Sequence, residues 1–383
     1  MRGQADEQLP LFHVFHVEDR IRRDHPLRDI KLRVDRILAS LDPQFRAAYS
    51  STGRPSVPPE RLLKALLLMS LYSIRSERQL CEAIDVNLLY RWFLDMQPSE
   101  EAFDPTAFTK NRQRLDDHDL TRSFFAAVVA EALTAGLCSE HFSVDGTMIE
   151  SYAAAKSFQP KGAAGQDETP KDANGFQPRN AEVDFHGQQR SNATHASRTD
   201  PEAKLHRKGP GKEAKLAHMG HVLSENRHGL ILEIQATEAN GTAERSAALE
   251  MIDAWQATHG QQPKTVGADK GYDSGEFFQE LEARQIEPHV PLVKAPTDPE
   301  KVVHEKRRAG VAARHRMRAR LASDAYRLSQ KCRKKVEECF GWLKTIAGLG
   351  RCRTVGRWKL QQALEMGATA FNLVRLVKLK PAV

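Results

Sequence analysis

The stretch Phe142-Ser143-Val144-Asp145-Gly146-Thr147 sets the reading of the chain. From Glu140 to Asp145 apolar and polar residues alternate, the period-2 pattern of a half-buried strand, and the run ends on an acid followed by glycine. The segment Val266-Gly267-Ala268-Asp269-Lys270-Gly271-Tyr272-Asp273 repeats the arrangement, with a short strand from Lys264 to Asp269 and Gly271 in the turn. An acid where a strand gives way to a glycine-containing loop stands where α/β sheets present groups to ligands. Carboxylates so placed suit Mg²⁺, which prefers oxygen donors. Singly, Asp-Gly and Asp-Lys-Gly are also ordinary turns.

Working outward, Lys215 to Leu223 and Leu230 to Thr237 read as a hairpin around Glu225-Asn226-Arg227-His228-Gly229. Ala243 to Thr258, before Gly260, and Gly275 to Gln285 read as helices, and Pro288 to Pro291 as a last edge strand. Strand, hairpin, helix, strand, helix, strand is an α/β order with an antiparallel start and helical crossovers. Between Ser151 and Lys212 aliphatic residues nearly vanish and Gly, Pro, Lys, Gln and Asn dominate, which reads as a polar loop insertion. The basic segment 294–320 shows no apolar period. Two helices, near Asp324 to Ile346 and Leu360 to Leu379, close the chain.

The N-terminal third is helical throughout. Pro58-Pro59 opens one helix with Leu62, Leu63, Leu66, Leu67 and Ser70 along a side, Ser76 caps Glu77 to Ile84, and Leu88 to Leu94 forms a third. Leu120 to Ala135 follows, stopped by Gly136. Short helices with tight connections fit either a helix-turn-helix-like DNA-binding module or a plain packing module. The divisions expected are an extension at 1–30, a helical domain at 31–117, and a catalytic domain at 118–383 carrying the insertion at about 152–212.

A third acid is offered by the helix near 331–346. At 100° per residue, Val336, Cys339, Phe340 and Leu343 form an apolar stripe. Glu337 lies at its rim with Arg333 and Lys344 on the same side, whereas Glu338 points to solvent. An exposed Arg333–Glu337 ion pair is the plainer alternative.

The 383 residues carry a net charge of +7. Positions 301–360 hold eighteen Lys or Arg against four acids, leaving the rest of the chain net negative. Positive charge gathered in one sixth of the length is suited to a polyanion. Five scattered cysteines without a CxxC pair argue against a disulfide framework and a zinc site. No apolar run approaches the ~20 residues of a membrane span, and no signal peptide is apparent, so a cytoplasmic protein without a membrane partner is expected.

Several longer blocks bear a resemblance. Ser143-Val-Asp-Gly-Thr-Met-Ile-Glu-Ser151, Gly267-Ala-Asp-Lys-Gly-Tyr-Asp273, Pro288-His-Val290 and Arg333-Lys-Lys-Val-Glu-Glu-Cys-Phe-Gly-Trp-Leu-Lys344 resemble the signature blocks of bacterial DDE insertion-sequence transposases. Ser191-Asn-Ala-Thr-His195, Thr199-Asp-Pro-Glu-Ala203, Gly211-Lys-Glu-Ala-Lys215 and Phe371-Asn-Leu-Val-Arg375 resemble them too. The nearest group is insertion sequence family five. The resemblance runs from about Leu62 to Leu379.

It implies a ribonuclease H-like catalytic core, a mixed sheet with flanking helices, behind an all-helical N-terminal domain. It implies Asp145, Asp269 and Glu337 as a triad holding two Mg²⁺ ions, with Mn²⁺ able to substitute. Arg333 and Lys344 become phosphate contacts, and Lys270, Arg314, Arg316 and Arg318 join them as candidate DNA contacts. Double-stranded DNA, both terminal repeats and target, is the implied partner, met by a dimer or larger multimer. Gln330 departs from the pattern, since the family often has Tyr there. An RNase H-like nuclease without strand transfer, and a catalytically silent DNA-binding regulator, are the competing readings.

Overall fold

The computed structural model describes residues 16–50, 52–53, 56–161, 190–207, 209, 211–294, 298, 300, 302 and 304–379. The first half of the expected extension, most of the polar insertion and scattered positions at the start of the basic segment lie outside the described residues. The chain opens with helices α1 (Val17–Arg20), α2 (Leu27–Ser40), α3 (Asp42–Ala48), α4 (Pro59–Leu71), α5 (Glu77–Val86), α6 (Leu88–Phe93), α7 (Pro105–Asp117) and α8 (Leu120–Thr134). Their ends follow local chemistry. Ser76 accepts the amide of Gln79 to start α5, Asn87 accepts those of Leu89 and Tyr90 to start α6, and Asp104 accepts that of Thr106 to start α7. Pro59 occupies the first turn of α4, where a missing N–H costs nothing. Lys64 is buried on α4 and ion-paired to both Asp35 and Asp95, so its charge is not left orphaned.

The second half is built on β1 (His141–Glu150), β2 (Phe158–Pro160), β3 (His195–Ser197), β4 (Lys204–Arg207), β5 (Ala214–Glu225), β6 (Ile231–Glu238), β7 (Thr265–Gly267) and β8 (Glu287–His289). Helices α9 (Ala243–His259), α10 (Gly275–Ala283), α11 (Glu305–Arg320), α12 (Asp324–Arg333), α13 (Lys335–Thr345) and α14 (Arg357–Leu379) complete it. Strand β1 is central, antiparallel to β5 on one side and parallel to β7 on the other, and β8 runs parallel beyond β7. The far edge of β5 is shared, by β4 along Ala214–Ala217 and by β6, antiparallel, along the rest. Three antiparallel strands followed by two parallel ones, in the order β6-β5-β1-β7-β8, are the mixed sheet of a ribonuclease H-like fold.

Two cores share two walls. Phe125 and Val129 of α8 face the sheet core, while Phe124, Val128 and Ala132 face the N-terminal helices. Helix α14 does the same, with Leu360, Leu364 and Ala368 toward the sheet and Met366, Ala370 and Leu373 toward the helices. The exposed edge of β6 is closed by α14 side chains. Asn372 both donates to and accepts from the Ile231 backbone (2.7 and 2.9 Å), and Gln361 does likewise with Ile234 and Ala236 (3.0 and 2.7 Å). An edge whose amides are already engaged cannot template pairing with another chain.

Several expectations are corrected. Strand β1 does not end at Asp145; it continues through Gly146, opposite His221, to Glu150, opposite Ala217. Asp145 is therefore a mid-strand residue, and the signal failed because glycine normally marks a strand's end. The polar insertion is not structureless at its flanks, which pair as β2 and β3, form β4, and dock through buried Asp200. Asp200 accepts from Ser151 (2.8 Å) and bonds His218 (2.9 Å), all three fully buried. The basic segment contains helix α11, whose buried face among the described residues is Gly310, Ala313 and Met317, too small a stripe to register as apolar periodicity. The single helix expected at 324–346 is broken at Lys334 into α12 and α13.

Helices α10 and α11 cross with backbone nearly in contact. A methyl at Gly275 would lie 2.5 Å from the Gly310 carbonyl oxygen, whereas one at Gly310 would meet nothing closer than 3.4 Å. Gly275→Ala is accordingly expected to destabilise the protein by ~1–3 kcal/mol through overpacking. Gly310→Ala should be neutral or stabilise by up to about 1 kcal/mol through helix propensity. Urea denaturation of the two variants checks the opposite signs.

Candidate active site

Asp145 sits in the middle of the central strand, facing away from Trp255, which packs edge-on against Phe142 at 5.4 Å on the other face. Its Oδ1 accepts the amide of Gly146 at 2.8 Å. Asp269 follows β7, the parallel neighbour of β1, and its Oδ1 accepts the amide of Gly271 at 2.7 Å, fixing the turn Lys270–Tyr272. Parallel pairing of β1 with β7 thus brings two acids more than a hundred residues apart to one end of the sheet. Burial raises the Asp145 carboxyl to about 6, with the nearby charges of Asp269 and Glu244 adding to it against the Gly146 amide and Arg333.

The helices supply the rest. Arg333, at the end of α12, reaches Asp145 Oδ2 at 3.9 Å with one guanidinium nitrogen and Glu337 Oε1 at 3.6 Å with another. The break at Lys334 lies between these two residues, so Arg333 and Glu337 are joined through a turn rather than along one helix. Val336, Cys339, Phe340 and Leu343 are buried, as the stripe requires, and the Glu337 side chain is 63% exposed at its rim. Glu338 faces away and pairs with Arg375 at 3.0 Å. Gln330, where a tyrosine is often found, donates to the carbonyls of Ala268 (3.2 Å) and His289 (2.5 Å). It straps α12 to the ends of β7 and β8, beside Asp269.

The other candidates divide. Lys270 is exposed in the turn after Asp269, and Lys344 is half-buried two turns beyond Glu337 on α13. Arg318 is exposed on α11. Two further expected DNA contacts carry ion pairs in the free protein: Arg314 makes a two-pronged pair with Asp273 (2.8 Å to each oxygen), and Arg316 pairs with Glu282 at 2.6 Å. Both arginines tie α11 to the loops and helix around α10. Asp273 also accepts the Val293 amide at 2.9 Å, a loop anchor rather than a further active-site acid. Buried His289 stands edge-on to Tyr326 at 5.9 Å, and burial lowers its pKa. His195 stacks on Phe158 in the insertion, and Trp342 packs against Phe371.

Two residues at the site escaped the sequence reading. Glu244, in the first turn of α9, has its carboxyl raised by burial and by Asp269. Tyr272 is buried among the charges of Glu244, Asp145 and Asp269, and burial holds its phenol protonated. Tyr272 lay inside a quoted motif. Glu244 had no motif, and only the return of α9 to the end of β1 would have pointed to it.

Among the described residues no three His, Cys, Asp or Glu side chains stand in a ready metal-ligating arrangement. The donor chemistry nonetheless fits a divalent cation: all oxygen, with an aspartate whose carboxyl is raised by burial and by the neighbouring carboxylates Asp269 and Glu244. Arg333 is the one cation bridging Asp145 and Glu337 among the described ion pairs.

Residues 138–373 match the family described as Transposase DDE domain, and residues 15–114 that described as Transposase domain (DUF772). The chain belongs to the DDE transposases, metal-dependent enzymes that cut and join DNA. No curated protein matches it significantly. Similar solved structures include the Mos1 transposase paired-end complex with left transposon end (13% identity, 79% of this chain, 82% of that one, TM-score 0.21). Others are the piggyBac transposase synaptic complex with hairpin DNA (9%, 94%, 77%, 0.36) and the Mos1 mariner paired end complex with Mn (12%, 82%, 88%, 0.21). No helix of the described residues is long and apolar enough to cross a membrane.

Because the folded Asp145 holds its proton more tightly than an ordinary aspartate, whose pKa is 3.8, its effect on stability is unfavourable once ionised. The penalty is absent well below pH 4, grows as pH rises through that range, and is complete above about 6. Asp145→Asn should therefore raise the melting temperature of the metal-free protein at pH 7.5, by up to roughly 3 kcal/mol of stability. The gain should vanish toward pH 3.5, as thermal denaturation at the two pH values will show.

Proposed function

We propose that this transposase acts on the ends of a bacterial insertion sequence of family five, using Asp145, Asp269 and Glu337 to hold two Mg²⁺ ions, with Mn²⁺ an effective substitute. The observation that carries the reading is the single guanidinium of Arg333 shared by Asp145 and Glu337, with Asp269 beside Asp145 just past the end of the adjoining strand. When bound, the ions supply Lewis acidity at the entering and leaving oxygens of an in-line displacement.

What the protein's own groups do follows from their settings. Asp145 is fixed by its strand and Asp269 by its turn, so neither must be ordered during reaction. Glu337 is exposed and held at 3.6 Å by Arg333, so it can turn inward when the arginine is drawn off by a phosphate. Arg333, planar and always charged, suits a phosphodiester oxygen pair, and Lys344 and Lys270 add point charges nearby. Tyr272 keeps its proton and closes the floor against water. With no nucleophilic side chain among these groups, the same site serves hydrolysis at the element's end and attack by the freed 3′-hydroxyl on target DNA, without a covalent protein intermediate.

The helices of 31–117 are assigned to recognition of the terminal repeats, and the basic surface of α11 to the DNA backbone. Synapsis of two ends calls for a dimer or larger assembly on DNA. A cytoplasmic, nucleoid-associated location follows from that partner.

Incubating the full chain with Mg²⁺, oligonucleotides bearing the element's own ends, and plasmid target should give joined products. Cut-only products would mark a nuclease, and a gel shift without products a regulator. Asp145→Asn, Asp269→Asn and Glu337→Gln should each lower cleavage by roughly a thousandfold or more while leaving the gel shift intact. Arg318→Ala should weaken DNA binding and reduce the slope of log affinity against log salt by about 0.9, as for one lost phosphate contact. Arg316→Ala should leave that slope unchanged.

A further inference from the structure

Outside the proposed triad, one more carboxylate stands against the glycine that follows Asp145 and the glycine in the Asp269 turn. Glu244 reaches from the first turn of α9 over the strand at Gly146. A side-chain carbon at Gly146 would lie 2.8 Å from Glu244 Cγ and 3.0 Å from its Oε1. Its other oxygen, Oε2, lies 3.6 Å from the corresponding point on Gly271, where Asp269 Oδ1 lies at 2.9 Å. Two glycines thus admit one carboxylate between strand β1 at Asp145 and the turn that carries Asp269. No ion pair of the described residues neutralises Glu244, although Arg245 beside it reaches toward the Gly271 carbonyl.

A second group faces the same spot. His221, directly opposite Gly146 in the β1–β5 register, is fully buried, with Nε2 bonded to Thr237 at 2.7 Å. Its Nδ1 has no hydrogen-bond partner and stands 3.0 Å from where a Gly146 side chain would begin. A buried ring nitrogen left unpaired beside an unneutralised carboxylate is an arrangement that costs stability unless something bridges them.

We propose that Glu244 is a fourth carboxylate of the cation site, reaching from the first turn of α9 toward a divalent ion held by Asp145 and Asp269. The proposal rests on the aspartate pair being the metal site. It explains why Gly146 and Gly271 flank the acids: any larger residue would displace Glu244 or Asp269. Asp145, Asp269 and Glu244 take up the first ion, and Glu337 completes the set when DNA draws off Arg333.

The test is a Mn²⁺ titration of the full-length, DNA-free protein followed by electron paramagnetic resonance of the free ion, on wild type, Glu244→Gln and Asp145→Asn. Glu244→Gln should bind Mn²⁺ at least tenfold more weakly than wild type, with a metal-free melting temperature equal to or above wild type, since a repulsive charge has gone. Asp145→Asn should weaken binding comparably. Unchanged Mn²⁺ affinity in Glu244→Gln beside a weakened Asp145→Asn overturns the role of Glu244 and leaves the triad standing. Unchanged affinity in both overturns the metal site itself. A lower metal-free melting temperature with unchanged affinity makes Glu244 a structural residue and overturns the proposal. Should the glutamine variant not fold, Glu244→Ala, which suits a first helical turn, carries the same expectations.

Discussion

The structure turns on negative charge that is buried without a full complement of positive charge. Asp145 is held in the central strand of the sheet with its side chain 19% exposed, Asp269 beside it and Glu244 behind it. A carboxylate so placed costs stability at neutral pH, and a folded chain keeps such a cost only where function requires it. The surrounding architecture is arranged to make that placement rigid. The sheet register fixes Asp145, the Asp269 turn is closed on the Gly271 amide, and Gln330 ties the ends of β7 and β8 to the helix that carries Arg333.

Glu337 is the contrasting member. It is exposed, follows a helix break, and is held by a 3.6 Å contact to an arginine that also serves Asp145. On the proposed assignment, fixed aspartates and a movable glutamate divide the work: the sheet would define where a cation sits, and the helix when the set is completed. Arg333 couples the two, because the charge that screens Asp145 in the free protein is the one best shaped to meet a phosphate. Substrate binding and completion of the site are in this way a single exchange of partners.

The sequence revealed the sheet and the acids unevenly, for physical reasons. The hairpin β5–β6, helix α9 and the strand before Asp269 were legible because their periodicity and turn residues agree with the fold. Strand β1 was cut short at Asp145 because Gly146 is there to make room for Glu244 rather than to turn the chain. Helix α11 was hidden because it packs through Gly310, Ala313 and Met317, and the pairing of its arginines with Asp273 and Glu282 is a tertiary matter that no local signal announces. Glu244 had no local signal at all. Its position depends on where α9 returns, which is set by strand order and not by its neighbours in sequence.

The account is tested most directly by anomalous scattering from crystals of the protein with Mn²⁺ and a cleaved DNA end. It predicts anomalous peaks lodged between the carboxylates of Asp145 and Asp269, with Glu337 turned onto the metal and Arg333 moved to a phosphate. Metal bound elsewhere on the chain, or Glu337 still paired with Arg333 while DNA occupies the site, would contradict it.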